Sequence, residues 1–167
     1  HSKMAIQSLD YELSSNVTME IKLAALLHDV DDKKYFPTSH RGEYPNASNI
    51  LESVGIVRNS ESHERVLKMI SWVGCSENGN KVPDEVKESG DYHLLIPRWA
   101  DRLEAVGARG VVRCYQYNQE KGSPLWSDFS PRPTSEEELW REAPPSKLDQ
   151  YIARGGTSTD MISHYYD

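Results

Sequence analysis

The sequence predicts an all-α protein, and three observations carry that prediction. Apolar residues recur three and four positions apart in segment after segment, as they do on one face of a helix. No segment shows the apolar-polar alternation of a half-buried strand. The breaks between periodic segments hold helix-start residues in front and Gly behind. With 167 residues, 37% of them hydrophobic, the chain is the size of one ordinary core, so a single-domain helical bundle over 1–167 is expected. It opens at His1 rather than Met and stops at Asp167 inside an unfinished helical pattern, so both ends are expected to be trimmed.

Along the chain, Ile6, Leu9 and Leu13 form one apolar stripe, and Met19, Leu23, Leu26 and Leu27 form a second. Pro45 and Asn46 would open a third helix, which carries Ile50, Leu51 and Val54 and stops at Gly55, a natural C-terminal cap. A fourth holds Val66, Met69, Ile70 and Val73 and ends near Gly74. The polar stretch from Ser76 to Gly90, punctuated by Gly79 and Pro83, reads as a loop. From Pro97, a residue tolerated in a first turn, the pattern runs on toward Tyr117 and predicts the central buried helix. Gly107, Ala108 and Gly110 would let another backbone come close, offsetting the roughly 1 kcal/mol that each Gly costs a helix. Beyond the aromatic-bearing loop from Gly122 to Pro133, Ser135 and Glu138 make a capping box for a short helix through Trp140, which Pro144-Pro145 closes. Two more short helices are expected around Leu148 to Ile152 and Ser158 to Tyr166.

Composition narrows the function. A net charge of −7 disfavours sequence-independent nucleic-acid binding, whose affinity comes from Lys and Arg neutralising phosphates. Small phosphate compounds can still be held through a metal ion. Cys75 and Cys114 stand alone without C-x-x-C spacing, so neither a zinc ribbon nor a redox dithiol is expected, and lone thiols suit a reducing compartment. No apolar run approaches the ~20 residues of a membrane span. The expectation is a cytoplasmic monomer or homodimer with no nucleic-acid or membrane partner.

The run from Leu23 to Lys33 is the most informative stretch, because an apolar helix leads into His28-Asp29 and then Asp31 and Asp32. Imidazole and carboxylate side by side against a hydrophobic wall are ligand types for a divalent cation. His1 and Asp101 supply the same two types from elsewhere, which gives His1, His28, Asp29 and Asp101 as the candidate metal set. This mixed nitrogen and oxygen set suits one divalent ion of Mn, Mg, Ni, Fe or Zn, with Mn²⁺ preferred. Such an ion activates water near neutral pH and polarises a phosphoryl oxygen. On a helix, Asp32 would share a face with both His28 and Asp29, so it is the first candidate for moving a proton and Asp31 the second. Phosphoryl chemistry also needs positive charge around the phosphate oxygens, for which Lys33, Arg102, Arg98 and Arg65 are candidates. His40, in the loop beyond the motif, is a candidate substrate cover. His63, His93 and His164 are expected to serve packing or the surface.

His1, His28-Asp29 and Asp101, with the apolar run before His28 and Ala100-Asp-Arg-Leu-Glu-Ala around Asp101, resemble the H…HD…D pattern of the HD-domain phosphohydrolase superfamily. The longer run from Ala100 to Arg113 and the late Met161-Ile-Ser-His-Tyr-Tyr resemble one bacterial and viral branch of it, some of whose members are described as nucleotide pyrophosphohydrolases. The likeness covers nearly the whole chain. It implies an HD-type helical bundle with its metal site between helices, and hydrolysis of a phosphate ester or anhydride bond. The Asp31-Asp32 pair is similar to the acidic pair that follows the His-Asp dipeptide in RelA/SpoT-type hydrolases, with Asp where those carry Glu. The expected activity is metal-dependent cleavage of a nucleoside or deoxynucleoside triphosphate to monophosphate and pyrophosphate. A monophosphate nucleotidase and a catalytically silent nucleotide-sensing module are the alternatives.

Overall fold

The computed structural model describes residues 1–32, 36, 43–74, 78 and 81–167. Every regular element among them is a helix, as the apolar periodicity requires. The chain divides into two compact units, His1–Leu103 and Glu104–Asp167.

The first unit holds α1 (Ser2–Gln7), α2 (Ser15–Leu27), α3 (Pro45–Ser53), α4 (Glu61–Val73), α5 (Asp84–Ser89), a 3-10 turn (Tyr92–Leu95) and α6, which spans Ile96–Glu104. Helix α2 packs along α4, with α1 against α2 and α3 against α4. Their shared core contains Ile21, Ala24, Leu27, Ala47, Leu51, Val66, Met69, Ile70 and Ile96. Two serine caps fix where the long pair begins. Ser14 Oγ accepts the Val17 N–H at 3.2 Å and Ser60 Oγ accepts the His63 N–H at 3.3 Å, each satisfying a donor that the first turn of a helix leaves over.

Several expectations are corrected here. Helix α1 ends at Gln7, so Leu9 and Leu13 lie beyond it, although both still pack on the core. In α2 the buried face is Glu20, Ile21, Ala24 and Leu27, while Met19 and Leu26 are 46% and 76% exposed. Of the expected stripe, Leu23 and Leu27 do pack on the core; the apolar count went astray at Met19 and Leu26 because a carboxylate holds a core-facing position. Glu20 is buried against α4, where its Oε2 pairs with Arg65 Nε at 2.9 Å and its Oε1 accepts from Ser62 Oγ at 2.6 Å. The stretch read as a loop before Gly90 contains α5, whose first turn carries Asp84 and Glu85 and which stops at Gly90 with φ +77°. Acidic residues at that end suit the helix dipole.

The segment from Pro97 to Tyr117 is not one helix. Helix α6 stops at Glu104, Val106 is extended, and Gly107 turns the chain with φ +65°. A β-carbon at Gly110 would land on the Ala105 carbonyl, so only glycine fits there in the first turn of the next helix. The second unit starts from this turn, with α7 (Gly107–Lys121), α8 (Glu136–Glu142), α9 (Lys147–Ala153) and α10 (Met161–Tyr166). Helix α7 buries Gly110 and Asn118 and leaves Val111, Val112, Tyr115 and Tyr117 exposed, so it is no central buried helix. It packs on α10, where Tyr117 stacks on His164 with ring centres 5.2 Å apart. The capping box of α8 forms with a shift of one residue: Ser135 Oγ accepts the Glu138 N–H, and the Glu138 carboxylate reaches back to Thr134 N–H at 2.7 Å. Among the described residues no helix is long and apolar enough to cross a membrane.

Candidate metal centre

The core-facing residues of α2 run out at Leu27, and His28 caps the helix with helical backbone angles. Beyond it the chain tightens. Val30 N–H donates to Leu27 O at 3.2 Å and Asp32 N–H to Asp29 O at 3.1 Å, so residues 28–32 form a turn rather than a further helical stretch. The expectation that Asp32 shares a helix face with His28 and Asp29 is therefore corrected. Val30 packs against the core between the two acidic positions, which holds the turn to the body of the unit.

His28 is oriented by its own helix. Its Nδ1 lies 3.0 Å from Ala25 O, and a carbonyl only accepts, so Nδ1 carries the proton and Nε2 faces outward. Two carboxylates meet that nitrogen. Asp29 Oδ2 is 3.3 Å away and Asp101 Oδ1, on α6, is 3.5 Å away. A bare lone pair between two negative groups is unfavourable, and a cation placed there relieves it. The proton is one such cation: the Asp101 hydrogen bond, aided by the Asp29 charge and the Ala25 carbonyl and opposed by burial, pushes the His28 pKa up to about 9. A divalent ion is another, and an imidazole whose second nitrogen is pinned by a backbone carbonyl is the usual second-sphere arrangement of a metal-binding histidine. The donor types, one imidazole nitrogen and two carboxylates drawn from the end of α2 and from α6, are those a hard or borderline divalent cation takes.

Other candidates sit differently. His1 is exposed at the N-cap of α1, where its carbonyl accepts the Ala5 N–H, and it takes no part in the His28 contacts just described. Among the described residues, no group of three or more His, Cys, Asp or Glu side chains is placed so as to hold a metal ion as it stands. Asp31 turns away to α3, where Oδ1 accepts Asn46 N–H at 3.1 Å and Oδ2 accepts Ala47 N–H at 2.9 Å. Asp32 is half-buried one residue further along the turn. Arg98 is 1% exposed; its Nε donates to Trp72 O at 2.7 Å and its Nη1 to Lys81 O at 2.8 Å, so its donors tie α6 to the end of α4. Arg102 lies over the Trp99 ring at 5.5 Å, and Arg65 pairs with Glu20 and Glu61. Lys33 and His40 lie outside the described residues.

The remaining histidines have structural partners. His63 is buried, with Nε2 3.1 Å from Ser48 Oγ and Nδ1 accepting the Asn59 N–H, which joins α4 to α3. His93 Nδ1 lies 3.4 Å from the Tyr11 hydroxyl. His164 lies between Tyr117 and Tyr151, and burial pushes its pKa down. Sequence reasoning missed Asn46, whose Nδ2 donates to Val30 O at 2.8 Å. Its partner is far away in the chain, and no local pattern announces such a pair.

No family model matches the chain, and no solved structure matches it. It is similar to Uncharacterized protein YpgQ of Bacillus subtilis (strain 168), with 28% identity over 108 residues, 65% of this chain and 49% of that protein. It is 37% identical over 174 residues to Uncharacterized protein L803 of Acanthamoeba polyphaga mimivirus, an alignment that takes in 98% of this chain and 68% of the viral protein. The chain therefore belongs to the same family as the mimivirus protein L803.

Proposed function

We propose that this chain is a metal-dependent phosphohydrolase of the HD type that acts on a nucleotide, cleaving a nucleoside or deoxynucleoside triphosphate to monophosphate and pyrophosphate in the cytoplasm. The observation that carries the reading is His28, pinned through Nδ1 to Ala25 O and facing Asp29 and Asp101 at 3.3 and 3.5 Å. Two carboxylates meeting one pre-oriented imidazole, the neighbouring Asp29 and the sequence-distant Asp101, are a costly arrangement for a purely structural turn. A divalent cation, Mn²⁺ in the first instance, supplies charge for a phosphoryl oxygen and lowers the pKa of water.

His28, Asp29 and Asp101 would hold that cation, and His1, exposed at the N-cap of α1, would have to come in from there to serve as a fourth donor. Asp32 accepts the proton of the attacking water, because both Asp31 oxygens already serve main-chain N–H groups. Water adds to the α-phosphorus, the bridging P–O bond to the β-phosphate breaks, and the electron pair leaves with pyrophosphate. Arg102, with Lys33 and His40 beyond the turn, neutralises the phosphate charge, since phosphoryl transfer depends on positioning and charge compensation. Arg98 supports α6 from behind.

The test is a panel of nucleoside tri- and monophosphates incubated with the Mn²⁺-loaded protein, the products separated by chromatography, with Asp29→Ala beside it. Monophosphate and pyrophosphate, lost in the variant, are the expected products. Orthophosphate released from monophosphates would replace this reading with a nucleotidase, and no turnover on any member would refute it.

A further inference from the structure

The turn that carries His28 and Asp29 is not stiffened by helix continuation, because its main-chain bonds are of the short three-residue kind, Val30 to Leu27 and Asp32 to Asp29. Something else must fix it. Helix α3 has the complementary need. Its first N–H groups lack helical partners, Pro45 opens it, and its N-cap, Tyr44, offers no side-chain cap. Asp31 fills that need from across the fold, one carboxylate oxygen on Asn46 N–H at 3.1 Å and the other on Ala47 N–H at 2.9 Å. Asn46 answers in the other direction, its Nδ2 donating to Val30 O at 2.8 Å.

The far end of this link is itself anchored. Ala47 and Ser48 are buried, and Ser48 Oγ meets the buried His63 Nε2 on α4 at 3.1 Å. A continuous set of contacts thus runs from α4 through Ser48 and the start of α3 to Asp31 and the turn.

We propose that Asp31 is a positioning residue, which with Asn46 clamps the His28-Asp29 turn onto the start of α3 and so sets the geometry in which the turn and Asp101 hold a divalent cation. The inference rests on the metal reading given above. It separates the two neighbouring aspartates by role, Asp31 holding the turn and Asp32 left as the candidate for moving the proton.

The experiment measures the Mn²⁺ dissociation constant of the full chain from the electron paramagnetic resonance of free Mn²⁺, with the melting temperature of the metal-free protein alongside. D31A removes both acceptors, D31N keeps one, and N46A removes the return bond while leaving the main-chain donors in place. S60A is the control, because it deletes the α4 cap and costs stability without touching the turn. Weakening of Mn²⁺ binding by about tenfold or more in D31A, less in D31N and N46A, and none in S60A at a similar loss of melting temperature is the expected pattern. Equal melting losses in D31A and S60A with Mn²⁺ affinity unchanged in both would overturn the proposal. If D31A does not fold, D31N and N46A carry the same comparison. Wild-type protein that takes up no Mn²⁺ would overturn the metal reading and this proposal with it, whereas wild-type uptake that D31A, D31N and N46A leave unaltered would overturn the positioning role alone.

Discussion

Arg98 and Arg102 sit on the same helix and point to opposite tasks. Arg98 donates from the interior to the Trp72 and Lys81 carbonyls, and a hydrogen bond from a charged group is worth roughly 1.5–3 kcal/mol. Arg98→Met should therefore cost about 3 kcal/mol in urea unfolding and leave the KM for a nucleotide unchanged in the fraction that folds. Arg102, over Trp99 at 5.5 Å, belongs to the phosphate side of the proposal; Arg102→Ala should raise KM several-fold with little change in the unfolding midpoint. Reversed outcomes, stability lost at Arg102 and KM at Arg98, would exchange their roles. The sequence makes His28, Asp29 and Asp101 legible as a group because metal-ligand types at a helix end are chemically unusual, and the structure brings those three together. It does not reveal Arg98, Arg65 or Asp31, since the first and last bind backbone and Arg65 binds a buried Glu20. A charged residue looks the same in sequence whether its partner is a phosphate or a carbonyl.

At the scale of elements, the seam between α2 and α4 depends on Glu20, which is buried while its partner Arg65 keeps a third of its side chain exposed. Removing one member of a fully buried pair costs roughly 3–5 kcal/mol, and the exposure of Arg65 lowers this. Glu20→Ala should cost about 2 kcal/mol, and Glu20→Met combined with Arg65→Met should recover most of it, because a packed apolar pair needs no desolvation. An uncorrected loss in the double variant would show that Ser62 and Glu61, the other partners, dominate the seam. The turn between α6 and α7 is the second test. Gly110→Ala should destabilise by about 1–3 kcal/mol, because its β-carbon meets the Ala105 carbonyl, and unchanged stability would mean that the turn relaxes freely. Periodicity located the helices bounded by clear start and stop residues, α3 opened by Pro45 and followed by Gly55, and α4 capped by Ser60 and ended at Gly74. It ran α6 and α7 together because Ala105, Val106 and Gly107 keep an acceptable helical pattern while the backbone breaks, and it passed over α5 because that helix carries a single apolar residue, Val86, and one residue shows no period.

The whole molecule combines a net charge of −7 with two compact units, and the acid response of the second should follow one carboxylate. Burial alone would push the Asp160 carboxyl up, yet hydrogen bonds from Ser163 N–H and from Ser127, Ser130 and Ser163 outweigh it and hold the group well below the ordinary carboxylate range. A depressed folded-state value adds stability that is present in full above the unfolded pKa of about 4 and is lost as pH falls toward the folded one. Asp160→Asn should thus be less stable than wild type at neutral pH, with the gap closing on acidification, as followed by the fluorescence of Trp126. A constant gap across the acid range would remove Asp160 from the account. The proposed function rests on the centre in the first unit. Pulsed electron paramagnetic resonance on the Mn²⁺-loaded chain reads that centre itself: a single bound ion whose echo is modulated by a coordinated imidazole nitrogen, with uptake and modulation both lost in His28→Gln, is the predicted result. A wild-type chain that takes up no Mn²⁺, or the same modulation surviving in His28→Gln, would contradict it.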